Sequence, residues 1–138
     1  MTPETLAATH TRAFAGQGRN WSAVEFAALL DSPHVFVVGD ARAFALGRAI
    51  ADEAELLTLA TDPAHRRTGL ARAALAAFEA EARARGAQRG FLEVAADNAA
   101  ARALYAAARW HGCACRPGYY PRADAEAVDA LVMKKRLD

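Results

Sequence analysis

The sequence predicts an α/β fold: one mixed sheet with helices packed on it, in a single domain. Three observations lead there. Two helical segments come first, three strand segments follow, and strands then alternate with helices to the end. The longest helical stretch repeats an apolar residue every four positions, at Leu70, Ala74, Phe78 and Ala82. No repeat, low-complexity linker or change of composition divides the 138 residues.

Each element follows from local signals. "TPETLAATHTRAF" is helical, with Thr2 as cap and Pro3 in the first turn. "GQGRN" is a loop, and "WSAVEFAALL" is a second helix whose Ser22 and Glu25 stand at capping-box spacing. "HVFVVGD" is a strand rich in β-branched and aromatic residues. "ARAFALGRAI" is another strand, turning through "ADEAE" into a third, "LLTLAT". Arg66 to Gly86 holds the long helix. "RGFLEVA" is a strand, and "NAAARALYAAAR" is a helix with Asp97 or Asn98 as its N-cap. "HGCACRPGYYP" and "VDALVMKKRL" close the chain as strands.

Composition excludes several classes. The apolar fraction is 54%, but 38 residues are alanine, so the larger side chains must define the core. A net charge of +1 gives no strong field for nucleic acid. No apolar run approaches the roughly 20 residues of a membrane helix, and the N-terminus lacks a signal-peptide stretch, so a cytosolic protein is expected. Cys113 and Cys115, two apart, are poorly placed for a disulfide. With His111 they alternate along a strand and could share one face, but no second ligand cluster completes a metal site, and none is expected.

The stretch "HRRTGLAR", residues 65–72, puts a glycine and three arginines where a strand gives way to the long helix. The first turn of a helix leaves backbone N–H groups unpartnered and carries partial positive charge, which suits phosphate. Gly69 and the small Ala71 would let a ligand reach the backbone, with Arg66, Arg67 and Arg72 around it. Neither a Walker loop nor a dinucleotide fingerprint is present. On these residues alone, a phosphate site and an ordinary turn with solvated arginines stand level.

"RRTGLA" is similar to the Arg/Gln-x-x-Gly-x-Gly/Ala loop of the GNAT acetyltransferase superfamily, whose main-chain amides hold the pyrophosphate of acetyl-coenzyme A. From about Asp52 to Leu137 the chain resembles that superfamily's ribosomal-protein-alanine N-acetyltransferase branch, with "LEV…DNAAARALY" and "YYP" the most specific segments. The resemblance implies a central, mostly antiparallel sheet flanked by helices. It implies acetyl-coenzyme A held by Arg66, Arg67, Thr68, Gly69, Leu70, Ala71 and Arg72, and a strand edge at Leu59, Ala60 and Thr61 pairing with the pantetheine arm.

Glu93 sits in the otherwise apolar "GFLEVA", opposite in face to Leu92 and Val94, where an ionisable group is costly unless paired or functional. The spacing alone allows an arginine partner; the resemblance makes Glu93 the general base, by way of water. Tyr105 lies seven residues after Asn98 on one helical face, roughly 10 Å along the axis. Alone it reads as a core aromatic; the resemblance makes it the acid that protonates the leaving thiolate, and makes Asn98 a cofactor ligand. Asp52, Glu53 and Glu55 read as an amine entrance or a solvated turn, and Tyr119 and Tyr120 as acceptor-channel walls or half-buried strand.

Three features depart from the family pattern. The chain opens in helix, leaving room for a sheet without its first strand. Arg109-Trp110 stands where Gly-aromatic is usual, at a cost of about 1 kcal/mol if the backbone there is left-handed. "HGCAC" replaces a polar strand. The expected acceptor is the N-terminal alanine of a small-subunit ribosomal protein, met by a monomer or weak homodimer. A lysine or small-amine acetyltransferase, a non-catalytic coenzyme A-binding module and a basic RNA-binding domain are the rival readings.

Overall fold

The computed structural model describes residues 1–17 and 20–138; the part of the expected "GQGRN" loop at Gly18 and Arg19 lies outside them. Helices α1 (Pro3–Ala13) and α2 (Ala23–Leu30) come first. Thr2 caps α1 by accepting the Thr5 N–H. Ser22 and Glu25 close a reciprocal capping box on α2. Strands β1 (Val35–Asp40), β2 (Ala43–Ile50) and β3 (Glu53–Thr61) follow. A 3-10 turn at Pro63–His65 leads into α3 (Leu70–Ala84), then β4 (Arg89–Ala95), α4 (Ala99–Ala107), β5 (His111–Arg122) and β6 (Ala125–Arg136). No strand precedes α1 among the described residues.

The strands form one sheet in the order β1-β2-β3-β4-β6-β5. β3 and β4 run parallel, and the other neighbours run antiparallel. Two of the boundaries that differ from the sequence reading have a backbone cause. β3 begins at Glu53, because Ala51, left-handed at φ 56°, turns the hairpin within two residues. α3 begins only at Leu70, because Arg67 and Gly69 are left-handed and cannot continue a helix.

Each face of the sheet has its own core. One joins α3 and α4 to the strands through Phe36, Leu56, Phe78, Leu92, Tyr105 and Trp110. The other joins α1 and α2 through Leu6, Phe26, Phe44 and Leu46. Leu46 pairs with Thr58 while Gly47 pairs with Leu56, so Leu57 is an extra residue in β3. Such a bulge bends the strand that carries it. Here β3–β4 pairing stops at Leu56–Leu92, although β3 continues to Thr61 and β4 to Ala95. Gly47 is required opposite, since a Cβ there would come within 2.6–2.7 Å of the Phe78 and Phe36 rings.

α4 ends through Arg109, left-handed at φ 70°, and Trp110, whose N–H donates to the Tyr105 carbonyl. The Trp110 ring lies against Gly90, where a Cβ would stand 2.7 Å from it. Its indole N–H donates to buried Glu79, which also accepts from Lys135 at 2.6 Å. Replacing Arg109 by glycine removes the left-handed strain and should stabilise the fold by about 1 kcal/mol. Urea unfolding should show a higher midpoint with an unchanged slope. A lower midpoint would mean that the arginine side chain contributes more than its backbone costs.

Candidate active site

The loop before α3 is anchored from outside. Asp62 accepts the Ala64 N–H and two bonds from Arg12 on α1, at 3.1 and 2.9 Å. The Ala64 N–H and then Arg12 hold its carboxyl below the ordinary range. Arg66 is extended, and its guanidinium donates to the Ala13 carbonyl at the end of α1, 3.1 Å away. Its side chain thus braces the loop rather than standing free as mobile charge.

Thr68 Oγ1 donates to the His65 carbonyl, and left-handed Arg67 and Gly69 flank Thr68. Backbone alternation of this kind is how successive N–H groups form an anion nest. Thr2, Ser22 and Asn98 cap the other three helices, whereas α3 has no side-chain cap among the described residues. The first-turn amides from Leu70 through Ala71 to Arg72 therefore meet solvent beside the exposed Arg67, Gly69 and Arg72.

Beyond the bulge, Leu59, Ala60 and Thr61 still pair with β2, but their other edge has lost β4. That edge can accept a strand-like ligand carrying amides. At the far side of the opening stands the start of α4, where Asn98 Oδ1 accepts the Ala101 N–H. Its carbonyl is thereby committed to the cap, leaving the amide nitrogen for a ligand.

Glu93 and Tyr105 lie on opposite faces of the sheet. Leu92 and Val94 point into the α3–α4 core, so Glu93 points to the other side, half-buried. Its Oε1 meets Arg116 Nη2 at 3.0 Å. Tyr105 is 6% exposed within the α3–α4 core. Burial, and then Tyr120, push its phenol far above the ordinary tyrosine value. Half-buried Tyr120 is pushed up to about 12 by burial, then by Glu93 and Tyr119. Tyr120 thus feels Glu93, and Tyr105 feels Tyr120. Both phenols stay protonated and able to donate. Arg122 fastens this wall by two bonds to Asp97, at 3.0 and 2.8 Å, and another to the Gln17 carbonyl.

Other expected groups fall elsewhere. Asp52 and Glu53 pair with Arg89, and Glu55 with Arg48, at the end of β3 away from the opening. They form an ion-paired turn, not an entrance. Cys113 is an extra residue in the β5–β6 register, which breaks the simple alternation with His111 and Cys115. Both thiols are free and exposed, and partial desolvation, then the Asp129 carboxylate, push Cys115 up. No group of three metal-ligating side chains forms among the described residues. Arg116 and Arg122 escaped the sequence reading, and Asp97 entered it only as a candidate cap, because alternation along a strand does not say which arginine reaches across a neighbour.

Residues 5–111 match the acetyltransferase (GNAT) family. The [ribosomal protein bS18]-alanine N-acetyltransferase of Escherichia coli (strain K12) is 41% identical over 95 residues, which cover 69% of this chain. The match spans 64% of that relative's length. The crystal structure of the ribosomal-protein-S18-alanine N-acetyltransferase from Escherichia coli superposes with a TM-score of 0.87 at 32% identity, covering 99% of this chain and 88% of that one. The fold is also that of yncA from Salmonella typhimurium, solved with its cofactor acetyl-CoA, at a TM-score of 0.80 and 19% identity, covering 99% of this chain and 88% of that one.

The raised tyrosines give the fold an alkaline limit. A phenol whose folded pKa exceeds its unfolded value, about 10, holds its proton more tightly when folded. The stability it contributes is full below about pH 10 and is lost as pH rises through the window up to about 12 for Tyr120. Tyr120→Phe should flatten the fall in urea midpoint across that window. An equally steep fall in the variant would contradict the assignment.

Proposed function

The chain belongs to the acetyltransferase (GNAT) family, and from that premise we propose that it moves an acetyl group from acetyl-coenzyme A to a primary amine. The acceptor in this reading is the N-terminal α-amine of an alanine-initiated ribosomal protein, and the 138 residues act as one cytosolic domain. The observation that carries the reading is the opening between β3 and β4, where a bare strand edge leads from an uncapped helix N-terminus to Glu93. The 41% identical relative supports the choice of acceptor.

The residues present fit the cofactor. The amides of residues 67–72 receive a diphosphate, the Leu59–Thr61 edge pairs with the amides of pantetheine, and the Asn98 amide adds a donor. Bound there, acetyl-coenzyme A supplies an activated thioester. Glu93 takes the proton of the incoming amine, directly or through water. Tyr105, protonated throughout the neutral range, is the donor for the departing sulfur. An α-amine with a pKa near ~8 asks less of a lone carboxylate than a lysine near ~10.4.

Two outcomes test this. Gly69 has open space around it but is left-handed at φ 82°. Gly69→Asp therefore meets no packing obstacle, carries about 1 kcal/mol of backbone strain and brings a negative charge to the diphosphate seat. Coenzyme A affinity by calorimetry should fall at least tenfold, about 1.4 kcal/mol. Unchanged affinity in a folded variant would remove the cofactor site from this loop. For the acceptor, thiol release with an alanine-initiated peptide is compared with its N-terminally blocked twin carrying an internal lysine. The free peptide should react faster. Faster reaction of the blocked peptide would move the chain to the lysine or small-amine branch.

A further inference from the structure

We propose that Arg116 is a positioning residue for the base, pinning one carboxylate oxygen of Glu93 so that the other receives the acceptor's proton. The inference rests on the reading of Glu93 given above. β6 separates the two residues: Glu93 lies opposite Val132, and Arg116 lies opposite Ala130. The guanidinium therefore reaches diagonally over β6, where buried Ala130 offers only a methyl group to cross. It ends 3.0 Å from Glu93 Oε1 and lies 5.4 Å from the centre of the Tyr119 ring. Glu93 Oε2 accepts no hydrogen bond among the described residues.

A glutamate's last torsion is broad and nearly two-fold, so a carboxylate on a half-buried strand would otherwise spin. A guanidinium held between a ring and one oxygen restricts the carboxylate's rotation by attraction at that oxygen. The planar fork and the ring contact make arginine better suited than lysine to this task. The Arg116 side chain is 58% exposed and that of Glu93 24%, so the pair adds little to stability and can be removed without unfolding the sheet.

The test uses the full chain and Arg116→Met, Arg116→Lys, Glu93→Gln and the double variant Glu93→Gln/Arg116→Met. Thiol release with the alanine-initiated peptide gives kcat and acceptor KM, calorimetry gives coenzyme A affinity, and a melt gives Tm. Arg116→Met should lower kcat about tenfold, as a misaimed group does. Acceptor KM and coenzyme A affinity should stay within about twofold, and Tm should hold, as for an exposed pair. Arg116→Lys should recover part of the loss, and Arg116→Met should cost nothing further once Glu93 is Gln. Retained kcat, a lowered acceptor KM (Arg116 as a cation competing for the seat) or additive losses in the double variant would overturn the role of Arg116 alone. Wild-type turnover in Glu93→Gln would overturn the base assignment and Arg116 with it.

Discussion

One extra residue, Leu57, sets the rest of the architecture. Leu56 points into the α3–α4 core and Leu57 into the α1–α2 core, but Leu59 returns to the first and Ala60 to the second. The alternation has slipped by one across the bulge. β2 follows β3 through the slip, whereas β4 does not, so the sheet parts between its third and fourth strands. The opening joins the two faces of a sheet that otherwise keeps them apart. Glu93 lies on one face and Tyr105 on the other, and the split in the sheet lies between the two faces, as the proposed acyl transfer requires.

Polar contacts then hold the edges of that opening. Arg66 ties the anion loop to α1, Arg12 ties α1 to Asp62, and Arg122 ties β5 to Asp97 just before α4. An exposed pair such as Arg12–Asp62 adds little, so stability is a poor account of it. The common property of these contacts is place: each joins a segment beside the opening to another element of the fold. The Glu79 cluster differs. Its carboxylate is buried and held by Trp110 and Lys135, so losing one partner would strand a charge.

The sequence was legible where the signal is local. Caps at Thr2, Ser22 and Asn98, the four-residue repeat of α3 and the glycine of the loop each depend on a few neighbouring residues. The bulge was not legible, because "LLTLAT" is apolar on both faces and a slip of register leaves no mark in such a run. The start of β3 was hidden because "ADEAE" has turn composition, yet Glu55 keeps its place in the strand by pairing with Arg48 on β2. The partners of Glu93 and Asp97 are 23 and 25 residues away along the chain, and only the order of β4, β6 and β5 brings them close.

Arg109 and Trp110 are better understood together than as two departures. A left-handed residue at the end of α4 turns the chain back under the sheet, and that turn delivers the Trp110 ring to the space above Gly90. An indole needs a partner for its N–H when buried, and Glu79 supplies one at 3.2 Å. The same ring meets Tyr105 edge-on at 6.4 Å, and the backbone N–H of Trp110 donates to the Tyr105 carbonyl. Strain at Arg109 is therefore offset where it is useful, since the indole it places is packed against the side chain assigned as the acid. The bulge parts the sheet, and this turn sets the packing of Tyr105 on one side of it.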